Sequence, residues 1–257
     1  MQILRSVTLG AALAACAAAP AAADCRYEAR RQGRLDAAGI ERVRVDAKSG
    51  GLSVVGREGA GEISAEGRAC AGEQSALERI RLRVERTGGL AVIAVEMPDG
   101  GWSLFGGGAR LDLVVELPST LPLEVADTSG SLEIHSVASL ELEDSSGEAE
   151  IGGVAGDVRV EDGSGELEIA DVGGDVWISD SSGKIEIRDV RGSVTIDEDG
   201  SGGIDIEDVG RDVLVRRDGS GGIDVARVGG DFTVERDGSG GIRHRDVEGA
   251  VRIPEDD

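Results

Sequence analysis

Between residues 124 and 253 one unit of 17 to 19 residues recurs seven times. A chain built this way buries its apolar residues only by stacking unit on unit. The Ser-Gly pairs beginning at Ser129, Ser146, Ser164, Ser182, Ser201, Ser220 and Ser239 mark the period, at intervals of 17, 18, 18, 19, 19 and 19 residues. Aligned on them, the unit reads Asp-x-Ser-Gly-x-Ile-x-Ile-x-Asp-Val-x-Gly-Asp-Val-x-Val, as in Asp180 to Val194.

Each unit offers five apolar positions. The first column runs Leu132, Ala149, Leu167, Ile185, Ile204, Ile223, Ile242, and the second Ile134, Ile151, Ile169, Ile187, Ile206, Val225, His244; three more begin at Val137, Leu140 and Leu142. Pairs of mostly β-branched residues two apart are strands with one buried face. The Asp-x-Ser-Gly and Asp-Val-x-Gly segments between them have turn chemistry, with Gly for positive φ and Asp or Ser to hydrogen-bond nearby backbone. The spacing predicts an all-β fold, a parallel β-solenoid of about ten coils. By the crossover rule it is right-handed. One domain is expected over residues 24–257, with irregular coils over 24–123 and regular ones over 124–253.

A core of this kind is thin, and the composition agrees: 40% hydrophobic, 2% aromatic, and 41 Gly in 257 residues. The formal charge is −23. Such a polyanion does not recruit nucleic acid or anionic lipid by charge, which leaves cations, proteins and glycans as partners. The first 23 residues carry Arg5, an apolar stretch from Val7 to Ala19, and Pro20-Ala21-Ala22-Ala23, the pattern of a secretory signal peptide cleaved before Asp24. The alternative is a lipoprotein box at Leu13-Ala14-Ala15-Cys16, with Cys16 acylated. Either reading sends the chain to the periplasm or the cell surface, and no later segment is apolar enough to span a bilayer. The two remaining cysteines, Cys25 and Cys70, then make one disulfide in an oxidising compartment.

From Ile40 the repeat is already audible in Val43-Arg44-Val45, Ser49-Gly50-Gly51 and Leu52-Ser53-Val54. Further strands are expected over 62–67, 80–85, 90–95 and 111–117, with one helical turn over 74–79. These read as degenerate first coils, with a separate small β domain as the alternative. The Gly-rich segment from Pro98 to Ala109 holds Trp102 and Phe105, which either pack back on the coils or form an exposed partner contact. At the other end Arg243, His244 and Arg245 break the pattern, so that His244 reads as an end cap rather than a ligand.

Two acidic columns follow from the register. The outward position between the first two core columns carries Glu133, Glu150, Glu168, Glu186, Asp205 and Asp224. Stacked like charges repel, so this column is either a solvated face or, over Glu150, Glu168, Glu186, Asp205 and Asp224, a ladder for calcium. The second column, Asp144, Asp162, Asp180, Asp199, Asp218 and Asp237, lies beside the Ser-Gly corners, where carboxylates accept local backbone N–H groups. No nucleophile elbow, His-based metal set or phosphate loop is present, so no catalytic residue and no cofactor beyond calcium is expected.

The exported start, the early Cys, the loosely repeated β opening and the Asp-Gly-Ser-Gly-x-Ile-x-Ile-x-Asp-Val-x-Gly units together resemble the bacterial exported "putative adhesin" family of β-solenoid proteins, over roughly residues 40–253. The resemblance implies a non-enzymatic cell-envelope or surface protein with an adhesive, binding or scaffolding role toward an envelope protein or glycan. The alternatives are an envelope enzyme on polysaccharide and a self-associating structural element.

Overall fold

The computed structural model describes residues 25–97 and 109–254, so the expected leader with Cys16, and the Gly-rich segment with Trp102 and Phe105, lie outside the described residues. Two eleven-stranded sheets face one another across an aliphatic core. Sheet B holds β8 (Leu123–Asp127), β10 (Leu140–Asp144), β12 (Val158–Asp162), β14 (Val176–Asp180), β16 (Val194–Asp199), β18 (Val213–Val215), β20 (Phe232–Val234) and β22 (Val251–Arg252). Sheet A holds β9 (Gly130–His135), β11 (Gly147–Val154), β13 (Gly165–Val172), β15 (Gly183–Val190), β17 (Ile204–Val209), β19 (Ile223–Val228) and β21 (Ile242–Val247). The chain alternates between the sheets, and each strand pairs in parallel with its equivalent one turn on. This is the solenoid the repeat predicts, with about seven turns in sequence order.

The columns face inward as the period-two reading requires. Ile169, Ile187 and Ile206 stack in register and are buried, and Glu186 between two of these columns points out. The one-residue growth of the repeat from 18 to 19 at Ser182 to Ser201 has a local structural cause. Sheet B takes up the extra residue as a register shift between Ile178 and Ser179, where Ser179 pairs with Glu198 and Asp180 still pairs with Asp199.

The N-terminal third departs from the sequence expectation. β2 (Arg42–Asp46) and β3 (Leu52–Arg57) form a parallel level directly against β8 and β9. The following level, β6 (Leu90–Glu96) and β7 (Arg110–Pro118), stacks on the far side of β2 and β3, so the levels are out of chain order. The remaining strands run antiparallel: β5 (Arg81–Thr87) on β6, β4 (Glu62–Ala71) on β7, and β1 (Tyr27–Asp36) on β4. Seven ordered turns with two displaced levels and an antiparallel closure thus replace a run of about ten coils. An open parallel edge would leave a row of backbone groups unpaired, and reversing the chain covers it.

Side chains fasten this closure. α1 (Gln74–Leu77) ends against Arg31, whose Nε and Nη2 donate to the carbonyls of Ile80 (2.8 Å) and Leu77 (2.9 Å). Cys25 and Cys70 are joined as the cysteine count predicts, with Cα atoms 5.4 Å apart, tying the start of β1 to the end of β4. The opposite end is less covered. Ile242 and Val247 are half-buried, Val251 and Ile253 are exposed, and His244 lies at an inward position with its ring 6.1 Å from Phe232.

Rung spacing is enforced by glycine. Gly183 has φ 149°, and a Cβ placed on it would overlap the carbonyl oxygen of Gly165 one turn before; the same holds along the row from Gly130 to Gly240. Gly183→Ala should therefore cost about 3 kcal/mol or more, as overpacking against backbone does. Gly203→Ala, where a Cβ meets nothing within 4 Å, should be neutral in the same chemical denaturation experiment. Reducing Cys25–Cys70, which closes a 45-residue separation, should remove about 4 kcal/mol by chain entropy. Hydrogen exchange should report that loss first in β1 and β4.

Candidate functional site

The outward acidic column exists in the predicted register: Glu133, Glu150, Glu168, Glu186, Asp205 and Asp224 each pair with the next. The protein's own cations engage it. Lys184 contacts Glu186 and lies 3.4 Å from Asp205, Arg188 contacts Glu168, and Arg243 donates to both oxygens of Asp224 at 2.6 Å. Beside this column Arg227 bridges Glu207 and Asp208, and Arg245 reaches Glu207 at 2.7 Å. Hydrogen bonds from these arginines hold the carboxyls of Asp208, Asp224 and Glu207 below the usual carboxylate range. Among the described residues no three carboxylate, His or Cys side chains converge where a metal could sit. The set Glu150, Glu168, Glu186, Asp205 and Asp224 stands one rung apart along the outer face of sheet A.

The second acidic column turns inward. Asp127, Asp144, Asp162, Asp180, Asp199 and Asp218 end the sheet B segments and are buried, with Asp199 fully so. Asp144 and Asp180 behave as the turn chemistry predicts, since their Oδ1 atoms accept from the N–H of Ser146 (3.3 Å) and Ser182 (3.1 Å). Asp127, Asp199 and Asp218 have both carboxylate oxygens buried without a partner, and Asp162 and Asp237 have one each. Burial pushes Asp199 up to about 7 and Asp127, Asp162 and Asp218 to about 6. A third set of aspartates does structural work at the other corner: Asp157, Asp175, Asp212 and Asp231 accept the backbone N–H of Asp175, Ser193, Asp231 and Ala250, each one turn on.

The outer face of sheet B carries the group that the sequence reading passed over. Its central outward row runs Arg44, Glu124, Glu141, Arg159, Trp177, Thr195, Leu214, Thr233, Arg252. Four consecutive rungs are uncharged in a protein in which 30% of residues carry charge. Trp177 is half-buried there and borders a groove of about 660 Å³ shared with Arg159, Asp157, Glu141, Ser139 and Arg42. Its neighbour in the adjoining outward row, Ser179, is uncharged too. The signal was present as an aromatic in an outward slot between Val176 and Ile178, visible only when outward columns are read as carefully as inward ones.

A larger groove of about 880 Å³ lies on the outer face of sheet A, where β1, β4 and β7 meet β3 and β9. Several of its charges are paired: Arg34 with Glu62 (3.4 Å) and Glu66 (3.6 Å), and Glu116 with Arg57 just outside it (2.7 Å). Val114 is its exposed apolar element. His135, with no chemical company in the sequence, borders a shallow hollow with Glu150, Glu168 and Arg188.

The chain matches no protein-family model and no curated protein. Among solved structures it is similar to a "putative cell adhesion protein" from Clostridium sporogenes, at 12% identity and TM-score 0.37, covering 88% of this chain and 99% of that one. It is also similar to a "putative adhesin" from Parabacteroides distasonis (10% identity, TM-score 0.36, 88% and 97%). A third is a "putative lipid binding protein" from the same species (14% identity, TM-score 0.42, 88% and 97%).

Proposed function

We propose that this protein is a non-enzymatic, exported envelope protein with an adhesive role, and that the outer face of sheet B around Trp177 is where it takes hold of an uncharged glycan. The observation that carries this reading is the row Trp177, Thr195, Leu214, Thr233 beside an open groove on an otherwise polyanionic rod. A net charge of −23 repels anionic surfaces and makes a neutral stripe the part of the molecule that can approach a neutral polymer closely. An indole offers a broad apolar face to a sugar ring and an N–H to a hydroxyl. Thr, Ser, Asp and Arg beside it supply donors and acceptors for the remaining hydroxyls. The stripe's spacing, about 4.8 Å per rung, gives an extended polymer several evenly spaced uncharged footholds beside the one indole. The Cys25–Cys70 bond is compatible with export, and among the described residues no helix is long and apolar enough to cross a membrane.

Binding of the purified full-length protein to neutral envelope polysaccharides should be saturable and without turnover. Trp177→Ala should weaken it at least about tenfold, the range for loss of a central aromatic contact, with the melting midpoint unchanged. If Trp102→Ala or Phe105→Ala removes binding while Trp177→Ala does not, the seat is the Gly-rich segment from Pro98 to Ala109 and not sheet B. Hydrolysis of the polysaccharide would refute the non-enzymatic reading.

A further inference from the structure

One corner position in every turn is an inward aspartate: Asp127, Asp144, Asp162, Asp180, Asp199, Asp218 and Asp237 stand rung upon rung. The register shift in sheet B shows how strictly this position is kept. When the repeat grows by a residue, the outward slot changes occupant and the following strands shorten to three residues, yet Asp199 returns to its place on Asp180, and Asp218 and Asp237 follow as isolated bridges. What faces the row is apolar or peptide. Sheet A closes the corner with the aliphatic column Leu132, Ala149, Leu167, Ile185, and the strands carrying the aspartates contribute Leu142, Val160 and Ile178 inward. The charges that act most strongly on these carboxyls are other members of the row, and Lys48 at Asp127.

At Asp127, Asp199 and Asp218 both carboxylate oxygens are buried with no donor in hydrogen-bond geometry, whereas Asp144 and Asp180 accept a corner N–H. An ionised carboxylate only accepts hydrogen bonds, so two of them on adjacent rungs repel and leave their oxygens unpaired, as at Asp199 and Asp218. One proton changes that, because a carboxyl O–H on one rung donates to the carboxylate of the next, and the unpaired oxygens become a donor and an acceptor. We propose that the inward aspartate row is a proton-binding chain, in which members centred on Asp199 hold carboxyl protons at neutral pH and donate them to the neighbouring rung, so that the solenoid tightens as its surroundings acidify.

The balance of charge effects agrees in sign. Burial and the adjacent carboxylates Asp218 and Asp180 push Asp199 up to about 7, against an ordinary value of 3.8 for an aspartate in the unfolded chain. Between those values the folded chain holds a proton that the unfolded chain does not. The stabilisation is fully present below the unfolded value and is lost as pH rises through the folded one. Asp127, Asp162 and Asp218, raised to about 6, act in the same direction. The arginine-bound surface carboxyls of Asp208 and Asp224 are shifted the other way, and so give up their stabilisation only at lower pH, outside this window.

The test is thermal unfolding of the full chain between pH 8 and pH 5, with and without calcium, together with the infrared carboxyl C=O band of the folded protein at pH 7. The midpoint should rise by roughly 5 °C or more on acidification. Asp199→Asn supplies an amide donor in place of the proton. It should raise the midpoint at pH 8, flatten the pH dependence and weaken the carboxyl band. A midpoint that falls from pH 8 to pH 5, or a folded protein without a carboxyl band at pH 7, overturns the proposal. So does stabilisation by calcium at pH 8 that Asp199→Asn abolishes, because the row would then seat cations instead of protons. If Asp199→Asn does not fold, the infrared band of the unaltered protein decides.

Discussion

The structure depends on the close parallel stacking of one turn on the next. Every regular strand up to β20 is paired on both sides, β21 and β22 ending the stack on one, and the corners are as tightly registered as the strands. The Gly carbonyls from Gly130 to Gly240 approach the next turn so closely that no side chain fits between them, and the amides there donate to the Ser carbonyls of the following turn, as Gly183 does to Ser201 at 2.9 Å. Asp175 and Asp231 add side-chain bonds across the same gap at the other corner. A repeat that is nearly identical from turn to turn follows directly, since whatever occupies a slot must fit against a copy of itself.

Stacking of this kind multiplies charge as well as packing. Any acid placed in the repeat becomes a column, and three such columns meet different fates. On the outer face of sheet A the column is relieved by Lys184, Arg188 and Arg243, and the later turns carry arginines such as Arg227 and Arg245 that reach back to acids of earlier turns. At one corner aspartates are satisfied by backbone N–H groups. At the other they are buried with oxygens left over, which makes that corner the place where solution pH acts on the fold.

A solenoid grows by repetition and must end by something else. Here the N-terminal end is closed by chain reversal. β4 and β5 lie antiparallel on the last parallel level, β1 covers β4, and Arg31 and Cys25–Cys70 fasten the lid. The two parallel levels beneath the lid are threaded out of order, which brings Asp112 of the sixty-first residue after Gly51 into hydrogen-bond contact with the Gly51 N–H at 3.1 Å. Closure of the end and placement of the larger groove on sheet A are therefore one event.

The amino-acid sequence by itself determined the strand register, the inward columns and the corner glycines over residues 124–253, because a period-two pattern repeated seven times admits one alignment. It also pointed to the Cys25–Cys70 pair, since with Cys16 assigned to an expected leader the two remaining cysteines have one connectivity. Tertiary structure alone decided three matters. The order of the N-terminal levels rests on contacts between strands far apart in the chain, such as Leu52 with Leu113 and with Leu132, which no local pattern encodes. Trp177 joins a groove only because turns that are 18 residues apart in sequence are neighbours in space, setting it beside Arg159 and Thr195. And the split between solvated and buried acids is set by which side of the sheet a strand-end residue meets. Asp180 and Glu186 are both acids in a repeat, but one closes the core and the other faces water.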